Sequence, residues 1–293
     1  MVSILNLPDS RALSYSLDAS PKDGPMVILS NSLATSFGIW DHVVKALNRD
    51  GFRTLRYDPP GHGRSSAPAA LDTTFDSMAD DVNTLLKSLD ITKVHAWIGV
   101  SMGAAGGVYF TTKYPGIVSK LAICDTMSAS PVNVGVEDLF GARVAAARDT
   151  GSLDPTIRGT VERWLGKDWI DMHPDEAERV RHNMAGTTID GFETCCHALR
   201  SDTFDLRPLL GKVGAAVDDA LLVVGEKDAN LPDAMADMRD KIEQGFRAAG
   251  KENSIRLVII NEAGHLCFID GLQQFASAVL GWVKAEQGES TSG

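Results

Sequence analysis

Cysteine is scarce in this chain. Four thiols are spread over 293 residues, at Cys124, Cys195, Cys196 and Cys267, and no Cys-x-x-Cys pair occurs. That spacing offers no zinc site and no disulfide framework, since adjacent cysteines are poorly placed to bridge each other. Reduced thiols in a cytoplasmic protein are the expectation. Positive charge is also short: 28 Lys and Arg face 39 Asp and Glu, a net charge of −11. A nucleic-acid footprint needs a basic stripe, so none is expected. No apolar run reaches the roughly 20 residues that a membrane helix needs. Met1 to Ser20 lacks the apolar centre of a signal peptide. No internal repeat is present.

What the chain does have is a regular alternation. Short apolar runs at Met26–Leu29, Phe52–Tyr57, Val94–Val100, Val118–Cys124, Ala220–Val224 and Ile255–Ile260 read as buried strands. Arg11–Leu17 alternates like an edge strand, and Ser20–Pro25 reads as a turn. Ile39–Leu47, Phe75–Leu89, Leu231–Ala249 and Leu272–Lys284 carry helical spacing. Strands separated by helices predict an α/β fold, a mainly parallel doubly wound sheet with helices on both faces. From Ser130 to Leu206 the strand signals vanish. Helical segments follow one another there, punctuated by Gly151, Pro155, Gly166, Pro174 and Gly191. The expected division is a core of residues 1–129 and 207–286, an inserted helical cap at 130–206, and a disordered tail at 287–293.

One apolar run ends in a turn that chemistry can use. Val94–Val100 leads into Gly99-Val100-Ser101-Met102-Gly103, and a small-residue helical stretch follows at once. A buried strand, a sharp Gly-x-Ser-x-Gly turn and a helix make a nucleophile elbow, with Ser101 at the tip. An alcohol is a poor nucleophile at its free pKa and needs a base within hydrogen-bond reach. His265, in the Ala-Gly-His loop after the last strand, is the candidate; His62, enclosed in a Pro-Gly-x-Gly turn, is its nearest rival. A carboxylate must then orient the imidazole. Asp228 ends the penultimate strand, and Asp125, one strand earlier, is the alternative. The oxyanion formed during acyl transfer needs two N–H donors. The amides of Met102, just after the serine, and Leu33, in the loop after the central strand, are expected to supply them.

With serine, aspartate and histidine in that order, the chain resembles the α/β-hydrolase family over most of its length. Asp58-Pro59-Pro60-Gly61-His62-Gly63-Arg64-Ser65 resembles that family's loop before the elbow. More narrowly, the chain resembles the 3-oxoadipate enol-lactonases. Ser30-Asn31-Ser32-Leu33 with Trp40-Asp41, the elbow itself, Glu162-Arg163-Trp164-Leu165, and Gly191-Phe192-Glu193-Thr194-Cys195-Cys196 carry that likeness. It departs from the pattern at Ala104, in a long Asp233–Lys251 segment, and in Leu266-Cys267-Phe268 after the histidine.

The resemblance implies a serine hydrolase that opens a lactone or cleaves a small carboxylic ester through an acyl-enzyme on Ser101, with no metal or organic cofactor. Asn31, Ser32 and Trp164 are the expected substrate contacts, and Trp169 is a second aromatic candidate. Arg143, Arg163 and Arg200 are candidates to meet a substrate carboxylate. The expected partner is a small-molecule lactone or ester, with neither nucleic acid nor membrane, and a homodimer is an open assembly state. Two other outcomes of the same fold stay in view: a ligand-sensing receptor with slow hydrolysis, and a cofactor-free perhydrolase or haloperoxidase.

Overall fold

The computed structural model describes residues 2–18, 23–252 and 254–285. Among them, eight strands form one sheet: β1 Val2–Asn6, β2 Ala12–Asp18, β3 Met26–Ser30, β4 Arg53–Tyr57, β5 Val94–Val100, β6 Val118–Cys124, β7 Asp219–Gly225 and β8 Arg256–Ile260. Their spatial order is β1-β2-β4-β3-β5-β6-β7-β8. β1 with β2 and β2 with β4 run antiparallel, and every other neighbouring pair is parallel.

Helices cover both faces, so the central strands must be apolar on both sides. Every residue of β3 is buried, as are all but one residue in each of β5, β6 and β7. Ile28, Leu29, Ile98, Leu121, Ile123 and Leu222 are fully enclosed, and each such side chain contributes roughly 1.5–3 kcal/mol.

The chain order creates a crevice. From β3 the chain crosses to β4 on one side, then returns to β5 on the other. The loops leaving β3 and β5 therefore diverge, and ligands of doubly wound sheets bind at such a reversal.

The expected strands and helices are present, with local differences. Phe37–Trp40 forms a 3-10 turn ahead of the helix Asp41–Arg49. β1 was not expected. Its apolar Val2 and Ile4 are exposed while Ser3 and Leu5 are half-buried, so no apolar-inward alternation marks it. Its register is set by pairing with β2, from Val2 opposite Ser16 to Asn6 opposite Ala12. The expected tail at 287–293 and residues 20–22 of the expected turn lie outside the described residues.

Between β6 and β7 the chain forms the helices Pro131–Val134, Leu139–Thr150, Asp154–Leu165, Lys167–Met172, Pro174–Met184 and Ile189–Arg200, then two short ones. A bridge between Ala129 and Asp205 closes the stem of this insertion. Gly151 and Gly166 end helices at φ 65° and 77°, a conformation glycine adopts at little cost. Gly191 is different. It sits inside a helix's first turn, where a side chain would collide with the backbone of Gly61. Thr188 also gives its N–H and its hydroxyl to the Gly61 carbonyl, both at 3.0 Å. Cap and core meet there. The four cysteines are free and buried, and no helix among the described residues is long and apolar enough to cross a membrane.

Candidate active site

β5 ends at Val100 and the next helix, Met102–Lys113, begins at Met102, which leaves Ser101 alone between them at φ 54°, ψ −117°. A non-glycine residue held there costs about 1–3 kcal/mol. Neighbouring bonds hold it in place. Ser101 N–H donates to the Cys124 carbonyl at 2.8 Å. Its own carbonyl accepts from the Ala104 and Ala105 amides, both at 3.0 Å, and from the Thr126 hydroxyl at 2.9 Å. The flanking glycines permit close approach: a side chain at Gly99 would meet the Gly103 backbone, and one at Gly103 would meet the Ser30 backbone.

The loops after β7 and β8 are joined backbone to backbone. Lys227 N–H donates to the Ala263 carbonyl at 2.8 Å, and a side chain at Gly225 would strike the Gly264 carbonyl. This contact sets Asp228 against His265, with Oδ2 2.7 Å from Nδ1. A carboxylate on Nδ1 keeps the ring's proton there and leaves Nε2 as the free acceptor. Asp270 steadies the same loop, since its Oδ2 accepts the Gly264 N–H at 2.7 Å. Burial pushes the Asp270 carboxyl up to about 6.

Ser101, Asp228 and His265 line one cavity of about 430 Å³ together with Leu33 and Met102. That volume suits a small organic molecule. Met102 is the first residue of its helix, so its N–H has no acceptor within the helix. Leu33 lies in a loop fixed from below: Ala34 N–H donates to His62 Nε2 at 2.9 Å, and the Thr35 hydroxyl donates to the Ser32 carbonyl at 2.8 Å. The cap closes the cavity with Phe140, Arg143, Thr160, Arg163, Trp164 and Phe192 among its lining residues. Among the described residues, no cluster of three or more His, Cys, Asp or Glu is arranged to hold a metal ion.

The two rivals have other duties. His62 is fully buried, donates from Nδ1 to the Pro60 carbonyl at 2.9 Å and accepts from Ala34. Burial pushes its pKa down to about 4. Asp125 lines the cavity, but its oxygens accept the Gly225 N–H at 2.8 Å and the Cys267 thiol at 2.9 Å. Burial, and next the Asp228 carboxylate, push its pKa well up.

Other expected contacts fall away from the cavity. Asn31 is fully buried and bonded to the Thr35 and Tyr57 carbonyls and the Trp40 indole, so it braces the loop instead of facing a ligand. Ser32 is buried and absent from the cavity lining. Arg200 pairs with Asp138 at 2.6 Å, and Trp169 stacks on His173. Trp164 does line the cavity.

A family model for the alpha/beta hydrolase fold matches residues 25–272. The chain belongs to this family. Among curated α/β-hydrolase relatives, 3-oxoadipate enol-lactonase 1 of Acinetobacter baylyi is 27% identical over 271 residues, covering 91% of each chain. Its 3-oxoadipate enol-lactonase 2 is 29% identical over 206 residues, 70% of this chain and 72% of that one. Among solved structures, the enol-lactonase from Burkholderia xenovorans LB400 superposes with a TM-score of 0.83 at 26% identity, covering 97% of this chain and all of that one. At that coverage the superposition spans both the sheet and the helices inserted between β6 and β7.

Proposed function

We propose that this α/β-hydrolase opens a small lactone, or cleaves a small carboxylic ester, through an acyl-enzyme on Ser101. The observation that carries the reading is the cavity lined by Ser101, His265 and Asp228, with His265 held by Asp228 at 2.7 Å. The names of the enol-lactonase relatives favour a lactone.

In this reading His265 Nε2 takes the Ser101 hydroxyl proton as the oxygen attacks the carbonyl carbon. The Leu33 and Met102 N–H groups hold the resulting oxyanion. The tetrahedral adduct collapses, the bond to the leaving oxygen breaks, and His265 returns its proton there. In a lactone that oxygen stays tethered to the acyl group. Water, deprotonated by His265, then attacks the acyl-enzyme and releases Ser101.

The substrate carries an anionic group. Arg143 and Arg163 both line the cavity; the Arg143 guanidinium lies 5.8 Å from the Phe140 ring centroid, and the acid that acts on Arg163 is Asp228, which lines the same cavity. Burial, and next the Arg143 charge, lower the pKa of Arg163. Two cations facing one small cavity in a chain of net charge −11 are matched by a carboxylate on the substrate, which guanidinium groups bind in a bidentate manner.

The test is a panel of lactones and p-nitrophenyl esters with a fluorophosphonate label. Wild type takes the label on Ser101, and Ser101→Ala lowers turnover by about 10³-fold or more. Unchanged turnover in that variant overturns the reading.

A further inference from the structure

The cap helix Asp154–Leu165 ends on His265. Its last four carbonyls have no partner within the helix. One of them, the Trp164 carbonyl, accepts the His265 backbone N–H at 3.0 Å. The Trp164 indole stacks on the His265 imidazole, with ring centroids 4.9 Å apart and planes 29° from parallel. A side chain at Gly264, the residue before the histidine, would run into that same Trp164 carbonyl. Three contacts thus converge from one cap residue on one loop of the core.

We propose that Trp164 positions His265, so that the end of the cap helix sets the orientation of the base. The proposal rests on the reading of Ser101, His265 and Asp228 given above. Asp228 holds one edge of the ring through Nδ1 but does not stop it from rotating about that bond. The indole face blocks the rotation, and the backbone bond fixes the ring's origin. The indole's electron-rich face also lies beside the ring at the moment it carries a second proton, where a cation is favoured. Displacing the cap helix would misplace the base even with every core residue intact.

A residue that merely lines the cavity acts through substrate size, whereas a positioning residue acts on every substrate. The experiment uses p-nitrophenyl acetate, whose acyl group is too short to fill the cavity, beside p-nitrophenyl butyrate. Trp164→Ala is expected to lower kcat on both esters on the order of tenfold or more, with KM changed by less than about threefold. Trp164→Phe, which keeps a stacked ring, recovers most of that loss. The low-field proton resonance of the His265 Nδ1–H bonded to Asp228 broadens in the alanine variant and stays sharp in the phenylalanine variant. Gly264→Ala, which keeps the Trp164 side chain but forces its backbone carbonyl away from the loop, is expected to lower kcat on both esters as well. Full kcat on the acetate ester in Trp164→Ala, with the loss confined to KM for the longer ester, overturns the proposal. A wild-type protein that fails to take the fluorophosphonate label overturns the underlying reading instead, so the two failures are distinguishable.

Discussion

The Cys267 thiol donates to Asp125 Oδ2 at 2.9 Å, two positions beyond His265 in the chain. The other oxygen of Asp125 accepts the Gly225 N–H at 2.8 Å, at the end of the strand that leads to Asp228. One buried carboxyl group therefore links the Asp228 side of the site to the His265 side. Neither of these bonds reaches the imidazole. The strand-end aspartate at position 125 serves as a clamp, and the one at 228 holds the ring.

This division separates two substitutions that look alike. Asp228→Asn presents an amide to Nδ1, favours the wrong tautomer and is expected to cost about 10³- to 10⁴-fold in kcat. Asp125→Asn keeps an oxygen for the Gly225 N–H, so its kcat is expected within about tenfold of wild type. Steady-state turnover of a p-nitrophenyl ester checks both. The reverse ranking would move the role of the acid to Asp125.

The cavity arginines predict a preference that neutral substrates lack. Removing one charge-assisted bidentate contact costs roughly 1.5–3 kcal/mol, or about 10- to 100-fold in affinity. Arg163→Met should therefore raise KM by that factor for an ester carrying a free carboxylate. KM for the corresponding methyl ester should change little. Equal effects on the two substrates would show that Arg163 contributes packing and not charge recognition.

The skeleton of the proposed site was legible because each part sits where a strand stops. An apolar run followed by a small-residue turn marks Ser101, and the later strand ends mark Asp228 and His265. The helical insertion between β6 and β7 was legible from the loss of strand signals and from Gly151 and Gly166, which end helices with positive φ. Long-range contacts were not. Nothing local in the sequence says that the Trp164 carbonyl meets His265, or that Cys267 bonds Asp125, since each pair is about a hundred or more residues apart in the chain. Leu266-Cys267-Phe268 stood out as a departure from the family pattern, and its buried thiol has a partner that only the fold supplies. Asn31 misled for a related reason. A polar residue beside the crevice reads as a ligand contact until its three hydrogen bonds are found to be internal.

The loop that carries Leu33 depends on a histidine that cannot hold a second proton without losing a bond. His62 Nε2 accepts the Ala34 N–H only while it is unprotonated, and burial lowers its pKa from the usual 6.5 to about 4. Between those two values the unfolded chain binds a proton at His62 and the folded chain does not. Stability from this group is therefore lost as pH falls from 6.5 towards 4, by roughly 2 kcal/mol at pH 5. Asp58 and Asp270 oppose it. Burial raises each from 3.8 to about 6, so the folded state holds more protons than the unfolded one between about pH 4 and 6, and their contribution falls as pH rises through that window. The wild-type profile alone mixes both signs. The informative quantity is the difference from His62→Gln, whose side-chain oxygen can still accept from Ala34 but does not titrate. Urea unfolding at pH 7.5 and pH 5 should show the wild type losing roughly 2 kcal/mol relative to this variant at the lower pH. A stability difference that is the same at both pH values would mean that His62 titrates alike in the folded and unfolded chains, and that acid leaves the Leu33 loop unaffected.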